Sequence, residues 1–129
     1  MKILVVDDEH DVKTLFQQRF RKEIKNGEMY FNFAFSGEEA LAYLKQNQKE
    51  AVFILSDINM PGMSGLELLE HIKQEFQKPV PIVIMITAYG DGENYKTAKK
   101  LGADDFLTKP VDFKMLKEKL RNVEISKKH

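Results

Sequence analysis

The sequence predicts an α/β domain, a doubly wound parallel sheet with helices on both faces. Two observations carry that expectation. Short runs rich in β-branched residues alternate with longer segments of helical spacing along the whole chain, the pattern of a parallel sheet joined by right-handed crossovers. The run Pro81–Ile86 is apolar throughout, as a central parallel strand buried on both faces must be.

Taken in order, Lys2–Val6 forms the first strand and ends abruptly at Asp7-Asp8. Val12, Leu15, Phe16, Phe20 and Ile24 follow at helical spacing, and that helix ends near Asn26-Gly27. Met29–Phe35 alternates aromatic and smaller residues, as a half-buried edge strand does. Ser36-Gly37-Glu38-Glu39 reads as a capped helix start, with Ala40, Leu41 and Leu44 on its apolar face. Val52–Ser56 is the third strand and ends in Asp57, before the turn residues Asn59-Met60-Pro61-Gly62. Leu66, Leu69, Ile72 and Phe76 mark a helix that stops before Pro79. The fourth strand runs into Thr87 and the loop Gly90-Asp91-Gly92, and a helix follows around Tyr95, Ala98 and Leu101. Asp105–Thr108 is a short fifth strand, and Leu116, Leu120 and Val123 define a last amphipathic helix. The expected fold is thus a five-stranded parallel sheet of order 2-1-3-4-5 with five helices, of the flavodoxin-like kind.

Composition limits what such a domain does. The 129 residues suit one domain, expected over residues 1–125 with a short tail at 126–129. Apolar residues make up 43% of the chain and charged residues 31%, enough for a packed core and unlike a disordered segment. Lys plus Arg and Asp plus Glu number 20 each, which removes the basic signature of a nucleic-acid binder. There is no cysteine, hence no disulfide, thiolate chemistry or cysteine zinc site. Nor is there the run of about 20 apolar residues that a membrane span requires. The start of the chain is too short for a secretory apolar region. A soluble, cytoplasmic protein is expected, with no membrane insertion and no direct contact with nucleic acid.

The candidate chemistry lies at the carboxyl ends of the strands, where open α/β sheets bind ligands. The first strand ends in Asp7-Asp8, the third in Asp57, the fourth in Thr87, and Lys109 follows the fifth. In the order 2-1-3-4-5 the first and third strands are neighbours, so three carboxylates meet beside a hydroxyl and an ammonium. Such carboxylates repel unless a cation joins them, and hard oxygen donors suit Mg²⁺. Lys109 and Thr87 would complement phosphoryl oxygens, and one carboxylate can act as a nucleophile to form an acyl phosphate.

Val5-Val6-Asp7-Asp8-Glu9, Ser56 through Gly62, Thr87-Ala88 and Lys109-Pro110 together resemble the signature set of response-regulator receiver domains. The resemblance spans essentially the whole chain. It implies that Asp57 accepts a phosphoryl group from a phosphohistidine on a sensor histidine kinase or histidine phosphotransfer protein. Asp8, Asp57 and the backbone carbonyl of Asn59 would ligate Mg²⁺, with Asp7 acting mainly through water. Lys109 would pair with the phosphoryl group and Thr87 would hydrogen-bond to it. The resemblance also implies a cis Lys109–Pro110 bond and a switch made of Thr87 and Phe106, which here lacks the hydroxyl of the tyrosine common at that position. The fourth helix, fifth strand and fifth helix would form the face read by a downstream protein target. Asn59 and Tyr89, two beyond Asp57 and Thr87, would tune phosphoryl lifetime. Catalysis is expected to be limited to the protein's own phosphorylation and dephosphorylation.

Each residue also has a plainer reading. Asp7-Asp8 would cap the first helix, Thr87 would satisfy backbone groups, Lys109 would be a solvated lysine before a proline, and Phe106 would be core. His10, His71 and His129 are scattered without metal-ligand spacing. Two rival functions stand beside this one: a haloacid-dehalogenase-type phosphatase, whose Asp-x-Asp order the run Asp7-Asp8-Glu9 does not match, and a receiver-like scaffold used without phosphorylation. Few residues follow the last helix, so output by protein contact or phosphoryl relay is expected, unless the chain is the excised receiver of a larger regulator or hybrid kinase.

Overall fold

Runs of Ile, Val, Leu and Phe build the centre of a five-stranded sheet. Its strands are β1 (Lys2–Val6), β2 (Tyr30–Ala34), β3 (Phe53–Asp57), β4 (Ile82–Thr87) and β5 (Asp105–Thr108). The computed structural model describes residues 1–48, 53–76, 80–88 and 90–128, with side chains through Asn122. Val52, Pro79, Tyr89 and His129, and the side chain of Val123, lie outside the described residues. All strand pairings are parallel, in the order β2-β1-β3-β4-β5. The order expected from the sequence is the one observed.

Every described residue of β3 and β4 is buried, as are Ile3–Val6 of β1. Leu4, Val6, Ile54, Val83 and Met85 point to one side and pack on α3 (Gly37–Gln46), α4 (Gly65–Glu75) and α5 (Gly92–Lys100). Ile3, Val5, Leu55, Ile84 and Ile86 point to the other side, against α1 (Asp11–Arg19) and α6 (Phe113–Lys128). Since both faces are apolar, strand ends are marked by the polar residues that stop each run: Asp7, Asp57 and Thr87. On the edge strand β2, Phe31 and Phe33 pack onto the α1 side of the core while Tyr30 stays exposed.

Among the described residues six helices form rather than five. The expected first helix divides at Phe20 into α1 and α2 (Arg21–Lys25). Phe20 has φ −108° and ψ 22°, yet the ladder persists across it, from Phe20 N–H to Phe16 O and from Ile24 N–H to Phe20 O, both at 2.9 Å. The division is therefore a bend, not a stop. Residues four apart drift by about 40° around a straight helix, and the bend keeps Phe16, Phe20 and Ile24 on the core. Helix α6 runs through Lys128, into the stretch expected as a tail at 126–129. Ser36 and Ser64 cap α3 and α4, each accepting an N–H three residues on, at 3.0 and 3.2 Å.

Candidate functional site

Pairing of Val6 with Ser56 sets the ends of β1 and β3 side by side. The residues that follow, Asp7-Asp8 and Asp57, therefore converge, and carboxylate oxygens of all three lie within 4.8 Å of one another. Asp57 is 6% exposed. Its Oδ1 accepts the Ile58 N–H at 2.9 Å, and its Oδ2 accepts from Lys109 Nζ at 2.8 Å. Lys109 reaches the cluster from the end of β5, where its N–H donates to Thr87 O at 2.8 Å. The Lys109–Pro110 bond is cis, as the resemblance implied.

The capping reading of Asp7 does not hold, since α1 begins at Asp11 with His10 as its N-cap and no side-chain cap hydrogen bond. Asp7 Oδ1 accepts the Glu9 N–H at 2.9 Å, a local turn contact, while its carboxyl belongs to the acidic cluster. Burial pushes the Asp7 carboxyl above its ordinary value; the Glu9 N–H opposes this and the nearby Asp57 charge adds to it. Burial is also the largest influence on Lys109, and acts to lower it. The hydrogen bond to Asp57 and the charges of Asp57, Asp7 and Glu9 together outweigh burial and hold its ammonium above the ordinary lysine value. The cluster thus favours a charged Lys109, bonded to the most buried carboxylate.

The remaining predicted residues stand around this core. Asn59 is exposed on the β3–α4 loop, two residues past Asp57. Thr87 is 6% exposed, and its hydroxyl donates to Leu107 O at a long 3.4 Å rather than to Asp57. Phe106 is half-buried and packs on Tyr95, with centroids 4.4 Å apart. Beside Asp7 and Lys109 opens a cleft of about 1100 Å³, with Leu15, Arg19, Val111 and Phe113 among its walls.

One residue of the site escaped the sequence reading. A Cβ on Gly65 would lie 2.1 Å from Asp57 O and 2.7 Å from Ile58 Cα. The first turn of α4 is pressed onto the backbone of Asp57, and the Gly65 N–H donates to Ile58 O at 2.7 Å. Nothing in the sequence marks Gly65, because its close approach to the end of β3 is a contact between two elements, not a local pattern.

This arrangement gathers acids at the ends of the first and third strands of a 2-1-3-4-5 sheet, with a lysine after the fifth, at the carboxyl edge of an α/β domain. The chain belongs to the response regulator receiver domain family, which it matches over residues 3–121. It is 39% identical to the response regulator protein PilR of Pseudomonas aeruginosa, an alignment covering 95% of this chain and 27% of that protein. It is 32% identical to response regulator RppA of Synechocystis, over 96% of this chain and 50% of that one. Among solved structures, a receiver domain protein of Clostridium thermocellum superposes with a TM-score of 0.85 at 31% identity, covering 98% and 96% of the two chains. The Vibrio cholerae chemotaxis protein CheY4 superposes with a TM-score of 0.78 at 27% identity, covering 95% and 97%. The chain spans only 15–50% of the length of the curated relatives it matches.

Proposed function

We propose that this chain is a phosphorylation-driven switch of a two-component or phosphorelay pathway, with Asp57 as the acceptor. A carboxylate oxygen of Asp57 forms the new O–P bond as the P–N bond of a partner's phosphohistidine breaks, and the imidazole leaves with the electron pair. The partner is a sensor histidine kinase or a histidine phosphotransfer protein. The observation that carries this reading is the Lys109 ammonium 2.8 Å from a buried Asp57 that two further acids adjoin. In that place Lys109 neutralises charge on the incoming phosphoryl oxygens. The cleft beside Lys109 supports approach of a protein donor, since Leu15 on its wall is 41% exposed.

The donor set fits Mg²⁺. Three carboxylates against one ammonium leave the cluster negative, and all its ligand atoms are hard oxygens. Asp8, Asp57 and the Asn59 carbonyl would hold the ion, with Asp7 acting through water. When bound, it supplies positive charge to balance the acids and the phosphoryl group. Thr87 then turns its hydroxyl from Leu107 to the phosphoryl group, Phe106 moves inward, and the face of α5, β5 and α6 changes for a protein target. Asn59 and Tyr89 set how long the acyl phosphate survives. The chemistry is the protein's own phosphorylation and hydrolysis, not turnover of a separate substrate. No helix among the described residues is long and apolar enough to cross a membrane; the proposed site of action is cytoplasmic, without membrane insertion. The much longer relatives favour a second reading, in which this chain is the receiver of a larger regulator.

The test is intact mass after incubation with Mg²⁺ and acetyl phosphate or phosphoramidate. Wild type is expected to gain one base-labile phosphoryl group and Asp57→Asn none. Full labelling of Asp57→Asn at another residue would overturn the assignment.

A further inference from the structure

The turn between β2 and α3 touches both loops that carry the acidic residues. On one side Ala34 O accepts the Asp7 N–H at 3.1 Å. There the Phe35 ring also stacks on His10, with centroids 3.9 Å apart and planes 13° from parallel. On the other side Glu38 Oε1 accepts the Met63 N–H at 3.3 Å. The Met63 side chain lies so close over Gly37 that a Cβ there would come within 2.9 Å of it. The turn is itself stiffened: Ser36 Oγ accepts the Glu39 N–H at 3.0 Å and Glu39 Oε2 accepts the Phe35 N–H at 3.2 Å.

These contacts answer a physical need. Ladder pairing between β1 and β3 holds the two chains only as far as Val6 and Ser56. Beyond that point β1 and β3 no longer pair with each other, although Asp57 still pairs with Ile86 of β4, and the repulsion between the carboxylates on the two loops pushes them apart. A single rigid turn bonded to each loop opposes that separation. His10 and Glu38 lie on opposite flanks of the same turn, three residues after Asp7 and twenty-five before Met63 respectively.

We propose that the β2–α3 turn is a brace that sets the spacing between the Asp7-Asp8 and Asp57-Asn59 loops, with His10, Phe35 and Glu38 as positioning residues for a divalent cation. The inference rests on the phosphoacceptor reading for its cation and adds a mechanical element to it. Glu38 acts here as a hydrogen-bond acceptor, not as a charge, and His10 acts as a flat ring, not as a base.

Calorimetric titration of the full chain with Mg²⁺ alone tests this. Glu38→Ala and His10→Ala are expected to weaken Mg²⁺ binding about tenfold, at the lower end for residues that orient metal ligands. Glu38→Gln, which keeps the acceptor, and His10→Phe, which keeps the stack, are expected to bind as wild type does. Thermal melts in chelator identify any variant that fails to fold; Phe35→Leu, which keeps apolar bulk but loses the stack, then replaces His10→Ala. The brace is overturned if the alanine variants bind like wild type, or if Glu38→Gln is as weak as Glu38→Ala, which makes Glu38 an electrostatic contributor instead. Wild type that binds no Mg²⁺ overturns the phosphoacceptor reading together with the brace, whereas wild-type binding with unaffected alanine variants overturns the brace alone.

Discussion

Asp7 shows at the scale of one residue what the site costs the fold. Its carboxyl is pushed up first by burial, with Asp57 adding repulsion, so the charged form is held against its preference. An acid raised in the folded state destabilises at pH values where it is ionised, and the cost disappears as pH falls below the ordinary carboxylate value of about 3.9. Asp7→Asn is therefore expected to stabilise the metal-free protein by about 1 kcal/mol at neutral pH while weakening Mg²⁺ binding. Urea melts at neutral and acid pH check this, the gap between the two proteins closing in acid. Gly65→Ala acts in the opposite direction. Its Cβ meets backbone, not a flexible side-chain tip, so the loss is expected at or above the usual overpacking range, about 3 kcal/mol, with a melting point lower by on the order of 10 °C. Asp57 and Lys109 were legible because each is a charged residue at the carboxyl end of a strand that the sequence pattern predicts, where α/β sheets bind ligands. Gly65, Glu38 and Phe35 were not, because what they touch lies elsewhere in the chain.

Elements are joined by contacts of the same long-range kind. Glu23 on α2 is 6% exposed, and its Oε2 faces Lys117 at 3.2 Å and Arg121 at 3.7 Å on α6. Arg121 also reaches Glu28 at 3.3 Å, so a short helix is clamped to the last one. Burial is the largest influence on the Glu23 carboxyl and raises it. Its own N–H, Lys117 and Arg121 outweigh that and leave it below its ordinary value of 4.5. A depressed acid contributes stability above the ordinary value and loses it as pH falls through the lower folded value. Lys117→Met leaves Glu23 with only the more distant Arg121, and is expected to cost about 2–3 kcal/mol near neutrality. Chemical denaturation across pH should show that difference shrinking below 4.5 as Glu23 takes up a proton. A constant difference at all pH values would assign the loss to packing of Lys117 over Phe20, 5.3 Å from the ring. The sequence pattern revealed every strand and the Ser36 cap of α3, but not the Ser64 cap of α4. It did not reveal the bend at Phe20, because no glycine or proline marks it and the cause is an aromatic ring drawn into the core.

For the whole molecule, strand order was legible because crossover handedness and the carboxyl-end rule leave few arrangements that bring Asp7, Asp8 and Asp57 together. The state of the proposed switch was not, because it would depend on which oxygen the Thr87 hydroxyl meets. That hydroxyl lies 3.4 Å from Leu107 O, and releasing so long a bond costs at most about 1 kcal/mol. A hydrogen bond to a charged phosphoryl oxygen returns about 1.5–3 kcal/mol. The exchange therefore favours moving Thr87, and β4 pairs directly with β5 through Met85–Phe106 and Thr87–Thr108. Phe106 in turn packs on Tyr95 of α5. A complete reversal of a two-state equilibrium takes about 5.5 kcal/mol, so in the proposed switch Thr87 would supply part of the drive and the phosphoryl contact with Lys109 much of the rest. With Mg²⁺ and beryllium fluoride as a phosphoryl mimic, amide shifts are expected to concentrate in α5, β5 and the first turns of α6, apart from the site itself. Thr87→Ala is expected to retain phosphoryl labelling on Asp57 but to lose most of the shifts at that face. Unchanged shifts in Thr87→Ala would move the origin of the switch to Lys109 alone, since its N–H to Thr87 O bond at 2.8 Å also ties β5 to β4 and does not need the hydroxyl.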